Sequence, residues 1–171
     1  MALHFSRDEL AGRVARARRA AAEEGLDAVL LFAQESLYYL TGYDTNGYVF
    51  FQCAVLTADD TPITLLTRRP DLLSARLTST IEDVRIWYAA PGAMPALDLK
   101  AILEEKGLRG ARVGIELNTY GLTGANHELV RRALDGWCEL TDASLIVRRL
   151  RLVKSPAELA YVRRAAELAD D

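Results

Sequence analysis

A chain of 171 residues, half of them hydrophobic and about a quarter charged, can bury one substantial core and has the composition of an ordinary globular domain. Its 21 Lys and Arg against 24 Asp and Glu leave a net charge of −3, which gives no general attraction to nucleic acid or to an anionic membrane. No apolar run is long enough to span a bilayer, the N-terminus lacks a signal-peptide pattern, and the two cysteines, Cys53 and Cys138, read as buried free thiols of a cytoplasmic protein.

Ser6, with Glu9 three residues on, is a capping box that opens a helix to about Glu24. Leu10, Val14, Ala17 and Ala21 make its buried stripe, and Gly25 ends it. Arg13, Arg16, Arg18 and Arg19, flanked by Glu9, Glu23 and Glu24, read as a solvated, salt-bridged face of that helix. Asp27 to Phe32 is short and continuously apolar, as a strand buried on both faces should be. Glu35 to Leu40 reads as a helical turn closed by Thr41 and Gly42, with Tyr38 and Leu40 pointing inward. Tyr48 to Thr57 is aromatic and β-branched, Ala58 to Thr61 is a turn, and Pro62 to Thr67 returns, so a hairpin is expected.

Pro70 to Leu77 is a short helix and Val84 to Tyr88 a strand. After a loop marked by Pro91 and Gly92, Pro95 starts a helix that ends at Gly107. Val113 to Leu117 is a strand, Thr123 to Leu134 a helix, Trp137 to Thr141 a last strand, and Ser144 to Leu152 a short helix. Ser155, Pro156 and Glu158 then form a second capping box, followed by an apolar stripe of Leu159, Val162, Ala166 and Ala169. Alternating strands and helices with one inserted hairpin predict an α/β three-layer sandwich around a mixed, mostly parallel sheet of about six strands.

Catalytic constellations are scarce. His4 and His127 are far apart and neither sits in a metal-ligand spacing; His127 and Glu128 are adjacent on a helix and so diverge by about 100°. There is no G-x-S-x-G elbow, no Walker lysine, and no G-x-G-x-x-G after the first strand. The unusual stretch is Ser36 to Gln52, which holds four of the seven tyrosines. Gly42 and Gly47 bracket a loop carrying Tyr43, Asp44, Thr45 and Asn46. Loops that present aromatic and polar groups beside a sheet contact ligands or partners. The competing reading is a turn with half-buried tyrosines.

Two segments carry a family resemblance. Ser36-x-x-Tyr39-Leu40-Thr41-Gly42-Tyr43 resembles the S-x-x-Y-L-T-G-Y segment of the creatinase/prolidase N-terminal domain. Arg151-Leu152-Val153-Lys154-Ser155-x-x-Glu158-Leu159 resembles the R-x-x-K-S-x-x-E-[IL] segment that ends that domain, and Gly114-Ile115-Glu116 fits the same order of elements. The resemblance implies a ribonuclease-H-like fold over residues 1–150. It makes residues 151–171 a linker and the first helix of a C-terminal pita-bread catalytic domain that lies outside this chain.

The resemblance also implies a hydrolase parent. That parent is either a Xaa-Pro dipeptidase or aminopeptidase P-like metallopeptidase, or a creatinase-like amidinohydrolase. In the peptidases two Asp, a His and two Glu of the catalytic domain bind two divalent ions, Mn, Co or Zn; in creatinase-like members a histidine does the acid–base work. This chain would then hold no catalytic residue, no metal ligand and no cofactor of its own. Its partners would be the C-terminal catalytic domain and a second copy of the parent, with no nucleic acid or membrane. Its role would be to help dimerise the enzyme and narrow access to the active site. Tyr43, Asp44, Asn46 and Tyr48 are the candidates for a substrate rim, with Gln52 further out, because a phenol or carboxylate there could bind an amine or guanidinium. Two other readings stay open: a free-standing small-ligand binding module, and an independent enzyme using Glu116, Asp44 or His127, for which no paired constellation is visible.

Overall fold

The computed structural model describes residues 3–170. The first helix, α1 (Arg7–Glu23), starts where its cap residue demands: the Ser6 hydroxyl accepts the Glu9 N–H at 3.1 Å. The capping box is only half formed, because the Glu9 carboxylate turns to the Nε of Arg13 at 3.1 Å instead of returning to the cap. Gly25, at φ +70°, stops the helix in the left-handed region.

Six strands follow: β1 (Ala28–Leu31), β2 (Cys53–Thr57), β3 (Thr64–Arg68), β4 (Asp83–Trp87), β5 (Arg112–Ile115) and β6 (Glu139–Asp142). They form one sheet in the order β4-β3-β2-β1-β5-β6. Only β2 runs against the rest; it pairs antiparallel with β1 and β3, while β3–β4, β1–β5 and β5–β6 are parallel. The helices α2 (Gln34–Thr41), α3 (Leu72–Thr78), α4 (Pro95–Glu105), α5 (Gly124–Leu134), α6 (Ile146–Leu150) and α7 (Pro156–Asp170) complete the chain.

The period-two alternation of the central strands builds both cores at once. Ala28, Leu30 and Phe32, with Cys53, Val55, Val113 and Ile115, meet Leu99 and Leu103 of α4 and Val130 and Leu134 of α5. Val29 and Leu31, with Ala54, Leu56 and Leu65, meet α1, α2, α3 and α6 through residues such as Ala17, Leu37, Ala75 and Ile146. The result is the expected three-layer α/β sandwich with a mixed sheet.

Four local expectations are corrected. The strand expected from Tyr48 begins only at Cys53, and Gly47–Val49 is a 3-10 turn. On the β1 side the ladder stops at the pair Leu31–Ala54, because the next two N–H groups of that chain, Phe32 and Ala33, bond the Glu116 carboxylate. Tyr39 rather than Tyr38 turns inward; Tyr38 stays half-buried with its hydroxyl 2.7 Å from Nδ1 of His4. Arg13 is not on a solvated face but is buried at 1% exposure, in phase with Leu10, Ala17 and Ala21, while Val14 is only half-buried. Cys53 is buried and Cys138 only half so.

Gly42 ends α2 at φ +80°, and a Cβ there would lie 2.8 Å from the carbonyl oxygen of Thr78. Gly42→Ala should therefore cost about 2 kcal/mol or more, since the left-handed conformation and a backbone clash act together. A urea denaturation midpoint equal to that of the unaltered chain would contradict this.

At the other end the second capping box is complete. Ser155 N–H donates to Oε2 of Glu158 at 2.9 Å, and Glu158 N–H donates to the Ser155 hydroxyl at 3.2 Å. The stripe on α7 finds no cover among the described residues: Leu159 and Val162 are 38% and 52% exposed. No helix among the described residues is long and apolar enough to cross a membrane.

Candidate functional site

The two segments that stand out in the sequence, more than a hundred residues apart, line one cleft of about 460 Å³. Tyr39, Tyr43, Asp44 and Thr45 come from the first, and Arg151, Lys154 and Glu158 from the second; Arg13 and Gln34 join them.

The first segment is positioned by Glu116. Helix α2 begins after Ala33, which has no side chain to cap it. Glu116, just beyond β5, does that work from a distance. Its Oε2 accepts the N–H groups of Phe32 at 2.9 Å and Ala33 at 2.8 Å, and its Oε1 accepts the Ser36 hydroxyl at 2.5 Å. Burial pushes the Glu116 carboxyl up to about 7, against the pull of these hydrogen bonds. The loop after α2 is pinned in turn. Tyr43 N–H donates to the Thr41 hydroxyl at 3.2 Å, Asp44 N–H to the Thr78 hydroxyl at 3.0 Å, and the Ser74 hydroxyl to the Asp44 carbonyl at 2.6 Å.

The rim candidates divide. Tyr43 is fully buried, its hydroxyl directed to Oε1 of Gln52 at 3.4 Å, and burial holds its phenol above the ordinary range. Gln52 is buried beside it. Tyr48 is half-buried, whereas Asp44 and Asn46 present their side chains to solvent. Beyond them Val49 and Phe50 are also exposed, Phe50 beneath the Arg68 guanidinium at 3.3 Å from its ring centroid.

Arg13, whose charge alone suggests a solvated face, is the residue that joins the two segments. The Arg13 guanidinium donates from Nε to Glu9 and from Nη1 to the Tyr39 carbonyl at 3.0 Å. Its Nη2 lies 3.8 Å from Oε2 of Glu158, and the group is stacked between the rings of Phe5 and Tyr39 at 4.0 and 4.5 Å. Hydrogen bonding by Ser155, and after it by Arg13, holds the Glu9 carboxyl below its usual range. The base of α7 is tied on further by the Tyr161 hydroxyl, which donates to the His4 carbonyl at 2.8 Å, and by the edge-on pair of Phe5 and Tyr161. The recurrence 10, 13, 17, 21 on α1 was the available signal: helical phase alone puts Arg13 on the inward stripe.

Metal chemistry is poorly served by these side chains. Glu116 commits its oxygens to two backbone N–H groups and Ser36, and among the described residues no three His, Cys, Asp or Glu converge as metal ligands.

The Creatinase/Prolidase N-terminal domain family matches residues 13–153. Over 175 aligned positions the chain is 29% identical to an uncharacterised hydrolase/peptidase of Sinorhizobium fredii, covering 98% of this chain and 44% of that protein. It is 27% identical to the ectoine hydrolase of Halomonas elongata, covering 98% of this chain and 43% of that enzyme. The fold superposes on a prolidase from Thermococcus sibiricus with a TM-score of 0.79 at 20% identity, covering 97% of this chain and 43% of that one. The chain thus spans less than half the length of the curated relatives it matches.

Proposed function

Because this chain belongs to the creatinase/prolidase N-terminal domain family, we propose that it is the non-catalytic part of a Xaa-Pro peptidase-like or creatinase-like hydrolase. In that reading it acts in the cytoplasm, helps two copies of the parent associate, and narrows access to the catalytic site. Residues up to about 150 form the domain, and α7 is the start of the catalytic unit, whose surface would cover the stripe of Leu159 and Val162. The peptidase form of the parent would carry two divalent ions, Mn, Co or Zn, on ligands of that catalytic unit.

The observation that carries the reading is the loop after Gly42. Its backbone is held rigidly by Thr41, Ser74 and Thr78, yet Asp44 and Asn46 face outward. A rigid backbone offering a carboxylate and an amide is suited to a substrate's amine or amidine end. The likeness to ectoine hydrolase favours a small polar amide or amidine as an alternative to a peptide ending in proline.

In the full-length parent, Asp44→Ala should raise KM about tenfold with kcat nearly unchanged, as expected when one charged contact is lost from binding alone. Replacing Val49 and Phe50 together by Ser should shift the parent toward monomer in sedimentation. Unchanged KM and unchanged assembly in these variants would overturn the proposal.

A further inference from the structure

The cleft between α2 and the base of α7 contains two buried polar atoms without partners. Nη2 of Arg13 makes no hydrogen bond, the Glu158 carboxylate standing off at 3.8 Å, and Oε1 of Gln34 has no donor; both residues line the same 460 Å³. A buried donor or acceptor left unpaired is costly, and folded proteins keep few of them. Two in one cleft, of opposite hydrogen-bonding sense, describe the complement of something that brings an acceptor and a donor together.

The charges around them say the same. Arg151 and Lys154 line the cleft and enter no ion pair among the described residues. Glu35 and Asp44 line it and are equally unpaired. A simple anion would satisfy Arg13 and the two cations but would face Glu35 and Asp44 as well as Glu158, which lines the cleft beside Arg13, and would leave Gln34 without a donor. A simple cation has the reverse defect. The volume is of the size that encloses a small molecule.

We propose that this cleft is a binding site for a small zwitterion of the amino-acid class. The carboxylate accepts from Nη2 of Arg13, with Arg151 and Lys154 beside it. The ammonium donates to Oε1 of Gln34, with Glu35 and Asp44 beside it. The cleft is lined by residues of this chain, Asp44 being shared with the proposed substrate rim, and the test below reads binding rather than hydrolysis, so that the two readings fail separately.

The test is a titration of the 171-residue chain, by heteronuclear NMR, with L-alanine, and in separate arms with acetate and with ethylammonium. L-Alanine should give saturable shifts at the Gln34 side-chain amide and at Arg151 and Lys154, and each half-ligand should bind about tenfold more weakly. Gln34→Leu, which removes the unpaired acceptor, should weaken L-alanine binding about tenfold while leaving the melting temperature unchanged or higher. Lys154→Met is the second variant and should weaken acetate and L-alanine alike. Absence of saturable shifts, acetate binding as tightly as L-alanine, or undiminished binding by Gln34→Leu would each overturn the proposal.

Discussion

Glu116→Gln should abolish a fall in stability that the unaltered chain shows as pH rises from about 4.5 to 7. The ordinary carboxyl value of 4.5 is raised to about 7 in the folded chain, chiefly by burial. In that window the folded state keeps a proton that the unfolded chain has released. The stability tied to this proton is complete below about 4.5 and gone above about 7. The gap corresponds to roughly 3 kcal/mol. Glutamine keeps the geometry, since its carbonyl can accept both N–H groups and its amide can donate to the Ser36 hydroxyl. Glu116→Ala is different: it leaves the Phe32 and Ala33 N–H groups buried and unpaired, and should cost about 2–4 kcal/mol at any pH. Urea midpoints measured from pH 4.5 to 8 decide the matter, and an unaltered slope in Glu116→Gln would remove Glu116 as its source.

Arg13→Ala should be the most damaging single change to the α1–α2–α7 junction, at about 3–5 kcal/mol. It removes the partner of the Glu9 carboxylate and of the Tyr39 carbonyl, and it empties the space between two rings. Arg13→Lys should recover little, because an ammonium has neither the planar stack nor the fork that reaches Glu9 and Tyr39 together. Amide exchange reads the same event locally. With the clasp gone, the first turns of α7 should exchange faster through local opening, whereas the buried β1 should quicken only in step with the lost global stability. Wild-type stability in Arg13→Lys would show that charge alone, not the shape of the guanidinium, holds the junction.

These two residues also mark the boundary of what the sequence discloses. Strand, helix and cap positions follow from local pattern, so the order of elements, the two Ser caps and the helix-ending Gly25 and Gly42 were all legible. The charge of Arg13 points to a solvated face, but helical phase outranks it: the 10-13-17-21 recurrence sets Arg13 on the inward stripe. Glu116 lay beyond reach for another reason. It caps a helix whose first turn is some eighty residues away, and no local pattern encodes a cap supplied from another element. Tyr48 to Gln52 has the side chains of a strand, but tertiary bonds override that preference: the Trp87 indole donates to the Phe51 carbonyl at 2.8 Å, and Gly47 lies against the Asp71 carboxylate. The four rim candidates look alike in sequence, but the structure leaves Asp44 and Asn46 facing solvent and buries Tyr43 against Gln52 and the packing beneath.

The single reversed strand has a consequence for how the chain is made. β1, β2 and β3 form a meander between Ala28 and Arg68, so half the sheet can close from neighbours in sequence. The other side of β1 waits for β5, whose Val113 pairs with Ala28 across 85 positions. At ordinary translation speeds that strand emerges from the ribosome some seconds after the meander. Through that interval the nascent chain exposes an apolar, unpaired edge of Ala28 to Leu31, the kind of surface on which a molecular chaperone or a neighbouring polypeptide can settle.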